Sequence, residues 1–158
     1  MVDEHHFLLQ RVQPAMVGLV DGSLATLAPI FTVVLATHKP HYAFVAGLAS
    51  ALAAGVSMAY SEGLSDTGEI TGRGSPVTRG AITGAGTFAG GILHTLPFLI
   101  PHYHAAIVAA IIVVGLEMLG LAWIRWRFFR ANYFSSLAWI ALAAAIIVVV
   151  SGALGAAA

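Results

Sequence analysis

The sequence predicts an all-α integral membrane protein of five transmembrane helices, with the N-terminus in the cytoplasm and the C-terminus outside. Three observations lead to this prediction. Of the 158 residues, 59% are hydrophobic and 9% are charged, whereas soluble domains are about 25% charged. The apolar residues form runs of roughly 20, the length of a helix that crosses a bilayer. The basic residues lie almost entirely on one side of these runs, which indicates the orientation.

The chain divides into a short polar start and one membrane domain. Residues 1–11 are polar with spaced apolar positions, a pattern typical of a cytoplasmic interfacial helix. The membrane domain covers residues 12–155. Polar stretches that contain histidine, lysine or arginine separate its apolar runs, because charged side chains are costly inside a span. The five spans are predicted at about 12–37, 42–63, 77–99, 105–124 and 133–154.

The basic residues determine the predicted orientation. An odd number of spans puts the two termini on opposite sides of the membrane. The side of the N-terminus carries six arginines, whereas the other side carries only Lys39. The six are Arg11, Arg73, Arg79, Arg125, Arg127 and Arg130. Because cytoplasmic loops carry an excess of basic residues, the arginine-rich side is predicted to be cytoplasmic.

Asp21 is the most informative single residue, because it lies in a long apolar run. The run from Val12 to Thr37 contains no other charge, and an acid at such depth costs roughly 2.5–3.5 kcal/mol on insertion scales. A partner, a proton, a bound cation or a water-filled cavity must offset that cost. Gly18 and Gly22 flank Asp21 and predict close approach of another helix, while Pro29 predicts a kink. This combination favours a functional site at Asp21.

A second acidic feature begins near the cytoplasmic end of span two. Four side chains recur there at intervals of four, four and three: Met58, Glu62, Asp66 and Glu69. They share one face if the helix continues past Gly63. Carboxylates suit hard and borderline divalent cations and a thioether adds a softer contact, so the set fits Fe²⁺ or Mn²⁺ better than Ca²⁺ or Mg²⁺. The alternatives are core packing for Met58 and solvation for the three acids.

Glu117 lies within the apolar run of span four. Counted from the outside, it falls in the same cytoplasmic half of the membrane as Asp21, Met58 and Glu62. No basic residue is predicted at matching depth, so cations or protons are the available compensation for the three membrane acids. This distribution favours a cation pathway, with Glu117 as a further metal-binding candidate. The alternative is a protonated Glu117 that hydrogen-bonds a neighbouring helix.

Span three combines packing glycines with one histidine. Two GxxxG patterns, Gly80 to Gly84 and Gly86 to Gly90, occur in its apolar sequence. Such patterns favour close helix packing, so we interpret these glycines as packing surfaces. His94 is expected to hydrogen-bond a neighbouring helix.

The composition argues against several functional classes. A net charge of zero without a long basic run makes nucleic acid an unsuitable partner. The chain has no cysteine, which excludes disulfides and thiolate metal sites. The His-Glu-x-x-His motif of metalloproteases is absent, and no lysine lies within a span to support a Ser/Lys protease. We therefore predict a transporter, not an enzyme, and no cofactor. A non-transporting module that anchors or assembles a metal-handling partner is the alternative.

Two stretches resemble the vacuolar iron transporter family. Gly18-Leu19-Val20-Asp21-Gly22 is similar to the signature of its first span, and Ser57-Met58-Ala59-Tyr60-Ser61-Glu62 is similar to a pattern in its second span. The five-span layout agrees. The resemblance is closer still to the membrane half of the membrane-bound ferritin type of bacterial iron exporter. The stretches that carry it are Gln13-Pro14-Ala15, Asp21-Gly22-Ser23, Leu27-Ala28-Pro29-Ile30-Phe31 and Gly72-Arg73-Gly74-Ser75-Pro76.

The resemblance implies a homodimer in a bacterial inner (plasma) membrane that exports Fe²⁺, and often Mn²⁺, from the cytosol in exchange for protons. It also implies that Asp21 and Met58 line the ion path and that Glu62 lies near its cytoplasmic mouth. Members of these types carry a glutamate-rich metal-collecting domain or a ferritin-like domain. Here the link after span two is short, and eleven residues precede span one. We therefore expect either an isolated membrane domain or a ferritin-like partner that delivers the metal.

Overall fold

The chain folds into a bundle of helices. The computed structural model describes residues 2–158, and every regular element in this range is helical. A π-helical segment, Leu8–Val12, joins the first two α-helices, and a short 3₁₀ helix, Leu96–Leu99, follows the fifth. The α-helices are α1 (Val2–Phe7), α2 (Gln13–Ala25), α3 (Leu27–Thr37), α4 (Pro40–Gly63), α5 (Pro76–Leu93), α6 (Tyr103–Phe129) and α7 (Tyr133–Ala156).

Within the described residues, four helices are long and apolar enough to cross a membrane. They are His5–Thr37, Pro40–Gly63, Tyr103–Phe129 and Tyr133–Ala156. These four match the predicted spans one, two, four and five, and the all-α prediction is confirmed. Predicted span three, 77–99, corresponds to α5 and the 3₁₀ helix. Glycine and threonine occupy many positions of α5, which makes it less apolar than the other four.

The first apolar helix is bent in its middle. Thr26 separates α2 from α3, and its backbone N–H bonds the Leu24 carbonyl instead of continuing the α-helical ladder. The sequence predicts a kink from Pro29, and the break lies just upstream of that proline. The physical reason is that proline lacks an N–H and its ring clashes with the carbonyl four residues earlier, which belongs to Ala25.

Helix α5 lies between α2 and α4, with its backbone in direct contact with both. A Cβ atom added at Gly18 or Gly22 would overlap the backbone carbonyl oxygen of Thr83 or Thr87, respectively. The predicted close approach at these two glycines is therefore confirmed, and the approaching helix is α5.

The two GxxxG patterns of α5 serve different neighbours. A Cβ atom at Gly84 would lie 2.6 Å from the Gly55 carbonyl oxygen on α4. A Cβ atom at Gly90 would lie 2.5 Å from the Leu19 carbonyl oxygen on α2. One face of α5 thus packs on α4 and the other on α2, which explains why a single helix carries both patterns.

An apolar core joins α3 to α4, α6, α7 and the 3₁₀ helix. Leu27, Ile30 and Val34 of α3 are completely buried, together with Ala106 of α6. Phe98 of the 3₁₀ helix is 1% exposed and packs in the same cluster. This core holds α3 in place beyond the bend, so α2 and α3 are anchored by different partners.

The glycine packing makes a prediction about stability. We expect Gly84→Ala to destabilise the fold by about 1–3 kcal/mol, because the new methyl group meets backbone that cannot move aside. Gly115→Ala is the matched control, since nothing lies within 4 Å of an added Cβ at Gly115, and alanine favours a helix over glycine. The measurement is the unfolding midpoint of both variants in detergent. Equal midpoints for the two variants would show that the contact is not close.

Candidate functional site

Asp21 and Met58 line the same cavity, although 36 residues separate them in the sequence. The cavity has a volume of about 610 Å³. Helices α2 and α4 bring Asp21 and Met58 to it, and side chains of α6 and α7 complete the wall. The other lining residues are Met16, Val17, Val20, Leu24, Ala25, Ala28, Arg125 and Ile147.

The Asp21 carboxylate has no hydrogen bond or ion pair to any side chain that the structure describes. The other residues that line the cavity are mostly apolar, and the thioethers of Met16 and Met58 are the other side chains of this lining that can ligate a metal. A carboxylate with free lone pairs, in a cavity that two thioethers also line, can bind a proton or a divalent cation. Sequence reasoning missed Met16, because a methionine on an apolar helix is ordinarily a core residue.

A second cavity extends the first toward the N-terminal end of α2. It has a volume of about 220 Å³ and is lined by Gln13, Met16, Val17, Arg125 and Phe129. Three of these residues, Met16, Val17 and Arg125, also line the Asp21 cavity. The side-chain oxygen of Gln13 is buried without a hydrogen-bond partner. The two cavities are therefore neighbours that share one wall, and we call them the cavity row, with Gln13 lining one cavity and Asp21 the other.

Arg125 is the basic residue of this row, and the sequence predicted it only as one of the six cytoplasmic arginines. Its Nε donates a hydrogen bond to Ser136 Oγ of α7 at 3.2 Å. Arg125 lines both cavities. A fixed positive charge beside a cation site weakens the attraction for a metal and also limits the charge that the empty site must bear.

Glu62 lies in a network of two acids and two arginines. Its Oε1 accepts hydrogen bonds from Arg73 Nη2 at 2.6 Å and from Arg79 Nε at 2.9 Å. Asp66 Oδ2 forms ion pairs with the same two guanidinium groups at 3.1 and 3.2 Å. Arg79 is completely buried, and its remaining donor reaches the Gly74 carbonyl at 3.0 Å. Each charge in the network is therefore compensated.

This network corrects two sequence interpretations. Helix α4 ends at Gly63, so Asp66 and Glu69 do not continue its acidic face. The expectation that no basic residue matches the membrane acids is also wrong, because Arg79 pairs with Glu62 and His94 pairs with Glu117. The error arose because pairings between distant segments leave no trace in local spacing. Glu69 is exposed in the loop.

Asp66 organises the loop between α4 and α5. Its Oδ1 accepts hydrogen bonds from the Gly68 N–H at 2.6 Å and from the Thr71 hydroxyl at 3.0 Å. Gly68 has a φ of +82°, a conformation that a side chain would strain, and it lies against the Gly74 carbonyl. The loop is thus held around one carboxylate, which accounts for its polar, glycine-rich sequence.

These contacts change the protonation behaviour of Asp66. Partial desolvation acts to raise the pKa of its carboxyl, but the hydrogen bonds from Thr71 and Gly68 and the charge of Arg79 outweigh it, so the pKa lies below its ordinary value of 3.8. Because the folded pKa is the lower one, the carboxylate stabilises the loop above the ordinary value, and this contribution is lost as the pH falls through the folded pKa. The loop is therefore fully supported at neutral pH.

Glu117 does not line the Asp21 cavity and belongs to a buried chain of polar side chains. Its Oε2 is 2.9 Å from His94 Nδ1, and His94 Nε2 is 2.6 Å from Thr26 Oγ1. The expectation that His94 bonds a neighbouring helix is confirmed, with α6 and the break in the first span as its partners. Glu117 is not brought together with Asp21, Met58 and Glu62.

No group of three or more His, Cys, Asp or Glu side chains within the described residues has the spacing of a metal cluster. Comparison with family models, with curated proteins and with solved structures finds no match to this chain. The sequence predictions of six metal-binding residues therefore separate into three groups. Asp21 and Met58 share a cavity, Glu62 and Asp66 are paired with arginines, and Glu69 and Glu117 lie apart from both.

Proposed function

We propose that this protein is a divalent metal transporter that exports Fe²⁺, and also Mn²⁺, from the cytosol in exchange for protons. The observation that carries the proposal is the shared cavity of Asp21 and Met58, in which a carboxylate inside an apolar helix has no side-chain partner. A carboxylate at membrane depth is costly unless it binds something. The metal is the transported substrate, and the chain needs no resident cofactor.

The donors of the cavity row favour borderline divalent metals. Asp21 provides a hard oxygen, whereas Met16 and Met58 provide soft sulfur atoms. Ca²⁺ and Mg²⁺ prefer all-oxygen sites, while Fe²⁺ and Mn²⁺ accept mixed donors, Fe²⁺ more readily. The free amide oxygen of Gln13 lies at the start of the row, and we assign it to metal entry in place of Glu62, Asp66 and Glu69.

Exchange with protons follows from the use of one carboxylate. A metal binds the ionised form of Asp21, so metal binding releases a proton and protonation releases the metal. The same site is thus occupied by either cargo. This competition is sufficient for antiport if the cavity opens in turn to each side of the membrane.

The proposed topology makes α5 a membrane span as well, at the position of predicted span three. Its 18 residues rise about 27 Å, close to the thickness of a bilayer core. With five spans, the six arginines lie on the cytoplasmic side, and the membrane is the bacterial inner membrane that the resemblance implies.

We also propose a homodimer in which α2 and α4 lie near the twofold axis. Asp21 and Met58 are only half-buried in one protomer, and Val17 beside them is 42% exposed. Without a cover, lipid would contact the carboxylate, and a charged side chain at this depth costs roughly 2.5–3.5 kcal/mol. A second copy covers both residues at once. A ferritin-like partner remains the proposed source of metal, because the described loops hold no metal-collecting cluster.

The test is flux in proteoliposomes that contain the purified protein. The movement of Fe²⁺, Mn²⁺, Ca²⁺ and Mg²⁺ across the vesicle membrane is measured under an imposed pH gradient, and the internal pH is recorded in the same vesicles. We expect Fe²⁺ and Mn²⁺ movement coupled to opposite proton movement, with no Ca²⁺ or Mg²⁺ movement. A folded, dimeric protein that moves none of the metals would instead support the anchoring or assembly module.

The role of Met58 gives a prediction about selectivity. Met58→Leu keeps volume and apolarity but removes the sulfur atom. We expect Fe²⁺ flux to fall about tenfold and Mn²⁺ flux to fall less, because the harder ion depends less on a thioether. Met118→Leu is the control, since Met118 packs against the apolar core and does not line the cavity. Equal losses for both metals in the Met58 variant would argue against direct ligation.

A further inference from the structure

A buried chain of three polar side chains, none of which lines the Asp21 cavity, connects three helical elements. It contains Thr26 at the break between α2 and α3, His94 at the end of α5 and Glu117 in the middle of α6. Thr26 is completely buried, His94 is 1% exposed and the Glu117 side chain is 9% exposed. The distances along the chain are 2.6 Å from Thr26 Oγ1 to His94 Nε2 and 2.9 Å from His94 Nδ1 to Glu117 Oε2.

The surrounding helices bring no other charge to this chain. On α5, Arg79 is held by Glu62 and Asp66, and on α6, Arg125 bonds Ser136. On α2, Asp21 lines its own cavity. Helix α3 has no titratable side chain, and the titratable residues of α4 and α7 lie near the ends of those helices. Within residues 5–158, the three side chains therefore form hydrogen bonds only with one another and with backbone.

Counting hydrogens shows that the chain has two arrangements. Thr26 Oγ1 lies 2.6 Å from the His94 ring, 3.0 Å from the Gly22 carbonyl and 3.4 Å from the Gly91 carbonyl. A hydroxyl has only one hydrogen to donate, and Gly22 offers the nearer of the two carbonyls. If the hydroxyl donates to His94 Nε2, then Nδ1 carries the ring hydrogen and donates to an ionised Glu117. If the hydroxyl donates to the Gly22 carbonyl, then Nε2 must carry a hydrogen and donate to Thr26. In that case the contact between Nδ1 and Glu117 requires one further proton.

The free oxygen of Glu117 favours the arrangement with the further proton. Glu117 Oε1 is buried and has no hydrogen-bond partner. An ionised carboxylate with one bare oxygen in an apolar helix is costly, whereas a neutral carboxyl, or an imidazolium paired with the carboxylate, reduces the uncompensated charge. The chain thus has a place for one proton and a physical reason to bind it.

We propose that Thr26, His94 and Glu117 form a buried proton-binding site, and that proton binding moves the donated hydrogen bond of the Thr26 hydroxyl from the His94 ring to the Gly22 carbonyl. Gly22 lies in the last turn of α2, next to Asp21 in the sequence. Its carbonyl is near the break, where the Thr26 N–H has left the regular helical ladder. Occupancy of the site therefore stabilises the end of α2, and it does so whether or not the Asp21 cavity carries metal.

The experiment follows the His94 ring and the Gly22 carbonyl by NMR on the intact protein in nanodiscs, without metal, from about pH 5 to about pH 8, the range in which the charge of histidine ordinarily changes. Labelled ring nitrogens show which nitrogen of His94 carries a hydrogen. The His94 signals are identified because they disappear in the His94→Asn variant. Paired labelling of glycine carbonyls and serine nitrogens gives only two signals, because the sequence contains only two Gly-Ser pairs, Gly22-Ser23 and Gly74-Ser75. The second pair lies in the loop and serves as an internal reference.

We expect the His94 ring and the Gly22 carbonyl to change together, with one midpoint and a one-proton slope. Glu117→Gln and Thr26→Val should each abolish the change at Gly22, while Thr26→Ser should retain it. Thr87→Val is the matched control, since Thr87 is a buried threonine whose hydroxyl bonds only the Thr83 carbonyl.

Two results would overturn the proposal. One is a His94 ring that keeps the same hydrogens over the whole range, and the other is a Gly22 signal that titrates unchanged in Glu117→Gln. Flux measurements on the same samples separate this inference from the metal transport proposed above. A protein that titrates as expected but moves no metal retains the proton site and loses the transporter, and the reverse outcome retains the transporter alone.

Discussion

Asp21→Asn is expected to abolish metal flux and metal-driven proton movement while the protein remains folded, dimeric and membrane-inserted. Asparagine keeps the size and polarity of aspartate but cannot ionise, so it can neither exchange a proton nor neutralise a divalent cation. We expect flux to fall about a hundredfold or more, the upper range for damage to a metal site. Metal flux and internal pH are to be recorded together in the same vesicles.

Two further variants complete this experiment. Glu69→Gln removes an exposed acid from the α4–α5 loop and should leave flux near wild type, which shows that acid removal alone is harmless. Asp21→Glu keeps the charge, and the cavity has space for another methylene, so partial flux is expected. If Asp21→Asn transports at the wild-type rate with proton coupling intact, the cavity is a packing defect and the transport proposal fails.

Arg79→Gln is expected to destabilise the fold by about 3–5 kcal/mol, the usual cost when one partner of a buried charge network is removed. The completely buried guanidinium neutralises Glu62 and Asp66 and donates to the Gly74 carbonyl. Its loss leaves two carboxylates for one remaining partner, Arg73. The measurement is the midpoint of unfolding in detergent or denaturant.

Arg11→Gln is the control for this variant, because Arg11 is exposed on the same side of the protein and should have little effect on stability. The double variant Glu62→Gln with Arg79→Gln removes opposite charges together and should recover part of the loss. An Arg79 variant as stable as the Arg11 variant would show that the network adds no stability, and Glu62 and Asp66 would again be available to a metal.

Local features of the sequence were sufficient to predict where the apolar helices lie. Hydrophobic length alone gives the four apolar spans, since a helix satisfies its backbone within itself wherever the chain enters lipid. Gly18 and Gly22 predicted a close helix contact because a missing side chain is itself the contact surface. Pro29 predicted a bend because a proline lacks the backbone N–H and its ring clashes with a carbonyl of the preceding turn. We also expected Asp21 and Met58 to line one path, although this expectation came from a resemblance and not from spacing.

The partners of the charged and polar residues came only from the tertiary structure. Glu62 and Asp66 lie four residues apart, which indicates one helix face, yet the helix ends between them. Arg73 of the loop and Arg79 of α5 neutralise both acids. Thr26, His94 and Glu117 belong to separate elements and meet only when α5 packs between its neighbours. By itself the sequence determined which segments are helical, because that depends on neighbours along the chain. The structure decided which acids are free, because compensation of a buried charge depends on side chains that are distant in sequence and close in space.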